Sequence, residues 1–255
     1  MKQNLKVIFF LKLFLLPFLI ISCTKSYLKH EIQLANDTKR IGEEYYFSGK
    51  YTKALENLIE AYKIIPDDPY LNNSLGLVYL AKQKYYLAKK HFKKAIKLKP
   101  DYSKAKNNLG VVFLKTKEYE KAIQYFQVIL NDLLYPTHEV PLSNIGFVYF
   151  EQKQYKKAIN YFKKALEIKP YFLTAAHGIA SSYLKTDQNK KAVSFLSSIL
   201  AIQPKAAVLH SDIAKAYKNL NNLKKEKHSL EMVIKFSPLD SDLSIKARKV
   251  LLKMQ

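Results

Sequence analysis

Few residues in this chain are of types that do chemistry, and their spacing points away from catalysis. The six histidines, His30, His91, His138, His177, His210 and His228, form no His-Glu-x-x-His pair and have no cysteine at ligand spacing, so no metal centre is expected. The six glycines make no Gly-x-Gly-x-x-Gly turn, no phosphate-cradling loop and no Gly-x-Ser-x-Gly elbow. No catalytic residue, metal ligand or cofactor is therefore expected, and the chain reads as one that binds rather than converts. His177 falls where it would face a groove. A single helical histidine is read as a bystander, and it takes no place among the expected site residues.

The one cysteine, Cys23, stands in a setting that gives it a role. Lys2, Lys6 and Lys12 form a basic start, Leu13 to Ile21 a short apolar run, and Ser22 is a small residue before the cysteine: the layout of a secretory signal. The run is too short to span a hydrocarbon core of roughly 30 Å, so cleavage is expected rather than spanning. Ile20-Ile21-Ser22-Cys23 resembles a bacterial lipobox, in which a peptidase cuts before a cysteine whose sulfur carries diacylglycerol. That resemblance implies a signal peptide at 1–22, a lipidated first residue at Cys23 and a tether at 23–34. More than one acyl chain makes such an anchor stable. Thr24 follows where an aspartate would resemble an inner-membrane retention signal, so the outer membrane, facing the periplasm, is the expected location. With Cys23 acylated no thiol is left for a disulfide, and stability must come from packing.

The composition fits a packed helical protein: 48% hydrophobic, no Trp, 19 Tyr, 14 Phe and only 6 Gly. The formal charge of +22 falls to +19 when the three lysines of the signal leave (22 − 3). Such a balance invites a nucleic-acid reading. Yet the lysines run along the whole chain, as in Lys89, Lys90, Lys93, Lys94 and Lys97, and Arg40 and Arg248 are the only arginines. Base readout and phosphate clamping favour clustered Arg forks. The charge is read as a solvated face, and no nucleic-acid partner is expected.

The elements that position everything else are written as a repeat. "YLNNSLGLVYLAKQKYYLAKKHFKKAIKLKP" aligns with "KAKNNLGVVFLKTKEYEKAIQYFQVIL" and "VPLSNIGFVYFEQKQYKKAINYFKKALEIKP". One position is Gly42, Gly76, Gly110, Gly146, Ala180 and Ala214, at steps of 34, 34, 36, 34 and 34 residues. Three residues later stand Tyr45, Tyr79, Phe113, Tyr149, Tyr183 and Tyr217. Nine further on come Ala54, Ala88, Ala122, Ala158, Ala192 and then Glu226. Small residues belong where two helices cross, aromatics beside them, and Pro66, Pro100, Pro170, Pro204 and Pro238 where a helix cannot continue.

This pattern resembles the tetratricopeptide repeat. It implies an all-α fold, a right-handed α-solenoid of six repeats at 35–68, 69–102, 103–138, 139–172, 173–206 and 207–240. The segment 241–255 reads as a capping helix, with Ser241 as its N-cap. The third repeat carries two extra residues near Tyr135-Pro136.

In this repeat, peptide-binding members of the chaperone-adaptor type hold a C-terminal carboxylate between Lys and Asn of successive first helices. Asn73, Asn108 and Lys104 are present, but Leu77 and Val111 replace the asparagines that would complete the clamp. The expected groove is apolar instead: Tyr46, Phe47, Leu77, Leu80, Val111, Leu114, Phe147, Phe150 and Leu184. The position of Tyr46, Leu80, Leu114, Phe150 and Leu184 is often apolar and half-buried in such repeats. Leu77, Val111 and Phe147 stand where a polar residue is usual, and suggest a stripe for a partner. Phe147 and Phe150 are expected to lie outside the set that packs the fourth repeat, Gly146, Tyr149, Ala158 and Phe162.

A lipobox, six repeats filling the mature chain and the Tyr-Pro insertion before the fourth repeat together resemble the pilotin lipoproteins of type IV pilus systems, the PilF, PilW and Tgl family. The resemblance implies an outer-membrane lipoprotein that helps a secretin subunit reach the membrane and assemble. The alternative is a repeat adaptor for another envelope complex, such as one building cell wall.

Overall fold

The computed structural model describes residues 27–254, so Cys23 and the signal sequence lie outside the described residues. Among the described residues every regular element is a helix. They come in pairs: α1 (27–47) with α2 (Tyr51–Ile64), α3 (Pro69–Ala81) with α4 (Tyr85–Leu98), and α5 (Ser103–Lys115) with α6 (Tyr119–Leu130). Then follow α7 (Glu139–Glu151) with α8 (Tyr155–Ile168), α9 (Leu173–Lys185) with α10 (Asn189–Ile202), α11 (Ala207–Asn219) with α12 (Leu223–Phe236), and a final α13 (Asp242–Leu252). Residues 27–34, expected as tether, are helical and run on into the first repeat as part of α1.

Each pair turns on one left-handed residue. Gly49, Gln83, Lys117, Lys153, Asp187 and Asn221 have φ of 75, 57, 62, 59, 54 and 55°, and repeat at the steps of the sequence pattern. The residue after each donates its N–H back to the carbonyl of the repeat's aromatic: Lys50 to Tyr45, Lys84 to Tyr79, Glu118 to Phe113, Gln154 to Tyr149, Gln188 to Tyr183 and Asn222 to Tyr217, all at 2.8–2.9 Å. This bond satisfies a carbonyl that the helix end leaves without a partner, and it needs a positive φ to form. Only the first turn uses glycine.

The chain divides into two compact units, one up to Val112 and one from Phe113, with the division inside α5. In the first, Ala54, Leu58 and Ala61 of α2 pack with Leu71, Leu75 and Val78 of α3 and Ala35 of α1. Asp68 caps α3, its Oδ1 accepting the Leu71 N–H at 2.6 Å with Pro69 at the first helical position, and its Oδ2 meets Lys39 of α1 at 3.3 Å.

In the second unit three cores follow one another. Ala158, Phe162 and Ala165 of α8 pack with Ala175 and Ile179 of α9. Ala176, Ala180, Leu196 and Ile199 pack with Leu209 and Ile213 of α11. Ala214, Leu230 and Val233 pack with Ala247 of α13. The fully buried ring of Phe162 fits between two glycines: a Cβ on Gly146 of α7 would stand 2.6 Å from it, and one on Gly178 of α9 only 2.4 Å. Ser241 caps α13 as expected, its Oγ accepting the Ser244 N–H at 3.2 Å.

Candidate partner-binding surfaces

In the first unit, Tyr46, Leu77, Leu80 and Val111 are half-buried while Phe47 is 83% exposed. Tyr46 packs on the α2–α3 core, and its ring meets Phe47 edge-on at 5.4 Å and Tyr51 at 5.8 Å. Burial, and then the neighbouring Tyr51, raise the Tyr46 phenol above its ordinary pKa. The clamp asparagines are engaged with each other: Asn108 donates from Nδ2 to Oδ1 of Asn73 at 2.9 Å, and Asn73 is buried. Lys104 is exposed. These amides hold α5 to α3.

In the second unit, Leu114, Phe147, Phe150 and Leu184 are half-buried. The expectation that Phe147 and Phe150 stand outside the packing set is corrected. Both lean on the core of the fourth repeat, Phe147 with its ring edge-on to Phe162 at 4.9 Å and Phe150 with its ring 5.4 Å from Tyr155. The reason is geometric: Gly146 lets the Phe162 ring come so close to α7 that it fills the space of a Cβ, which brings it against Phe147, the next residue of that helix.

Several polar contacts were invisible to the repeat pattern. His177, read as a bystander, bonds through Nδ1 to Oδ2 of Asp212 at 2.5 Å, and Lys215 meets the other oxygen at 3.1 Å. Asp212 is fully buried, and these two partners, one from α9 and one from its own helix, occupy both of its oxygens. In the first unit, Asn72 donates to the carbonyls of Pro66 and Asp68, both at 2.8 Å, and its Oδ1 lies 3.1 Å from Nδ1 of His91. An amide oxygen only accepts, so the His91 proton sits on Nδ1. Burial chiefly, with Lys90 and Lys94 adding repulsion, lowers the His91 pKa from 6.5 to about 4. Among the described residues no group of three or more His, Cys, Asp or Glu is placed to hold a metal ion.

The lysines also have structural work. Lys53 lies over the ring of Tyr45 at 5.7 Å, Lys121 over Phe113 at 5.6 Å, Lys157 over Tyr149 at 5.4 Å and Lys225 over Tyr217 at 5.4 Å. Each pair is eight residues apart across the left-handed turn, which brings the second helix's first turn over the first helix's aromatic. At such exposed sites each contact is worth roughly 0.5–1 kcal/mol.

Comparison with known proteins agrees with this architecture. Sequence models of the tetratricopeptide repeat match residues 42–83, 73–134 and 141–172. No curated protein gives a significant match. The structure of PilW, described as a widely conserved type IV pilus biogenesis factor, aligns with 86% of this chain and 99% of its own at 22% identity and a TM-score of 0.68. That of PilF from Pseudomonas aeruginosa aligns with 88% of this chain and 99% of its own at 19% identity and a TM-score of 0.62. A tetratricopeptide repeat protein from Parabacteroides merdae aligns over 87% of both chains at 19% identity and a TM-score of 0.62. At these identities the likeness is one of fold.

Proposed function

We propose that this chain of tetratricopeptide repeats is a membrane-anchored interaction scaffold, and that it serves as a pilotin for a type IV pilus secretin. The observation that carries the reading is the near-complete overlap with PilW, a type IV pilus biogenesis factor, across 99% of that protein. The lipobox-like Ile20-Ile21-Ser22-Cys23 supports it from the other end of the chain. In this reading the lipid on Cys23 gives the address, the outer membrane on its periplasmic side. Apolar first-helix residues, Phe47, Leu77 and Val111 in the first unit and Phe150 in the second, give the choice of partner, a secretin subunit. Fully covering one such side chain is worth about 1.5–3 kcal/mol, enough for a few residues to dominate an interface.

The repeat protein from Parabacteroides merdae, described without a pilus role, also overlaps 87% of this chain, so the fold is shared more widely and the second reading is an adaptor for another envelope complex such as cell-wall machinery. Co-purification from detergent-solubilised membranes separates the two. A secretin subunit recovered with the chain supports the pilotin role, and cell-wall enzymes without a secretin support the adaptor.

A further inference from the structure

One edge of the second unit is built unlike the rest of it. The α6–α7 connection holds the two extra residues of the third repeat, and it turns two adjacent leucines outward: Leu133 is 91% exposed and Leu134 92%. The tip is shaped, not loose. Asp132 accepts the Leu134 N–H on its side chain at 3.1 Å and the Tyr135 N–H on its carbonyl at 3.0 Å. Tyr135 is buried, its ring 5.9 Å from His138, so the segment is pinned directly behind the exposed pair.

The next connection, α8–α9, is tied to it by Lys169, whose ammonium meets Glu139 at the start of α7 at 3.4 Å. Here Ile168 is half exposed and Tyr171 has a φ of 67°, a left-handed conformation that is an outlier for a bulky residue. The connection after that is joined through Gln203, which donates to the Tyr171 carbonyl at 3.2 Å, and it exposes Ile202 beside Lys205. Three linked loops thus present projecting aliphatic side chains, a tyrosine and lysines. The carboxylates of Asp132 and Glu139 are turned inward into the turn and the Lys169 pair, while Glu167, next to Ile168, is exposed and is outnumbered by the exposed Lys163, Lys164, Lys169 and Lys205.

We propose that this edge, led by Leu133 and Leu134, docks onto the surface of a bilayer rich in anionic lipid. Projecting leucines suit a medium that yields around them, where a partner protein would need a cavity for each. Tyrosine and lysine are the residues that settle at the boundary between acyl chains and headgroups. The formal charge of +19 that is left when the three lysines of the signal leave (22 − 3) complements an anionic surface. The proposal rests on the reading of the chain as a membrane-anchored protein and adds to it a second, protein-borne contact that fixes how the scaffold lies on the membrane.

The chain has no tryptophan, which makes a single-site reporter clean. Leu134→Trp is introduced into the full chain, with Phe47→Trp, in the first unit, as the comparison reporter. Each is mixed with vesicles of phosphatidylethanolamine carrying about one-third phosphatidylglycerol, with and without bromine on the acyl chains. The expected result is a blue shift and strong quenching at Leu134→Trp, little at Phe47→Trp, and vesicle affinity weakened about tenfold or more by Leu133→Asp with Leu134→Asp at unchanged melting temperature. Equal quenching at both reporters, or none at Leu134→Trp whether or not the chain sits on vesicles, overturns the proposal. So does loss of a co-purifying protein in the Asp variant at unchanged vesicle affinity, which would make the edge a protein contact. Failure of the anchor reading shows separately, as fatty-acid labelling that survives Cys23→Ala.

Discussion

The ring of Phe147 meets that of Phe162 edge-on, with centroids 4.9 Å apart. Phe147 is therefore part of the fold before it is part of any interface. Edge-on aromatic pairs contribute about 0.5–1.5 kcal/mol beyond area. Phe147→Ser is expected to cost roughly 2–3 kcal/mol of stability, adding partial loss of a half-buried ring to that pair. Thermal unfolding of Phe147→Ser and Phe150→Ser side by side checks this, and the first should melt lower.

Gly178 tests the packing of the same ring from its other side. An added Cβ would lie 2.4–2.6 Å from three atoms of Phe162, a fully buried ring with Gly146 at its back. Gly178→Ala should cost about 1–3 kcal/mol by overpacking, and Phe162→Leu in the same chain should recover part of it. Denaturant midpoints of the single and double variants measure both.

The turns give a pair of opposite expectations. Gly49 has a φ of 75° and no atom within 4 Å of an added Cβ, so Gly49→Ala should lose about 1 kcal/mol through backbone conformation alone. Lys153 holds the matching position with a φ of 59° and bears that strain already. Lys153→Gly should raise the melting temperature by a few degrees, less the small contribution of unfolded-chain entropy. Calorimetry on the two variants decides it.

His91 sets an acid limb. Its folded pKa, about 4, lies below the ordinary 6.5, so between these values the unfolded chain takes up the proton and the folded one does not. Stability from this group is whole above pH 6.5, falls as the pH drops towards 4, and levels off below. Solvent around the half-buried ring reduces the loss to about 1–2 kcal/mol. His91→Gln keeps a neutral donor for Asn72 and should flatten this part of the pH profile, measured as the difference between the two chains.

The repeat was legible because it is written in residue size. Gly42, Gly76 and Gly146 announce helix crossings by their period, and the structure puts Leu58, Phe92 and Phe162 against them. Gly178 was missed because it sits outside that period: the matching residues of the second and third repeats are Ser74 and Asn108. The polar ties escaped for a related reason. Asn73 with Asn108 and His177 with Asp212 are each 35 residues apart, one step beyond the period, so neither partner marks the other until the helices are stacked. The packing of Phe147 is not written in the pattern, which says which positions are usually polar and not which ring a neighbouring glycine draws close. The exposed Leu133-Leu134 tip departs from the repeat: Leu134 stands 24 residues after Gly110, where the other five repeats have their closing proline, and the extra residues near Tyr135-Pro136 follow directly on it.

If apolar first-helix residues bind a secretin subunit, Phe47 is the side chain to remove, because 83% of it is exposed and its loss should leave the fold intact. Titration calorimetry of the subunit against the unaltered chain and Phe47→Ser is the measurement. Binding should weaken about ten- to a hundredfold in the variant, at an unchanged melting temperature. A subunit that does not bind, or binds both chains equally, contradicts it.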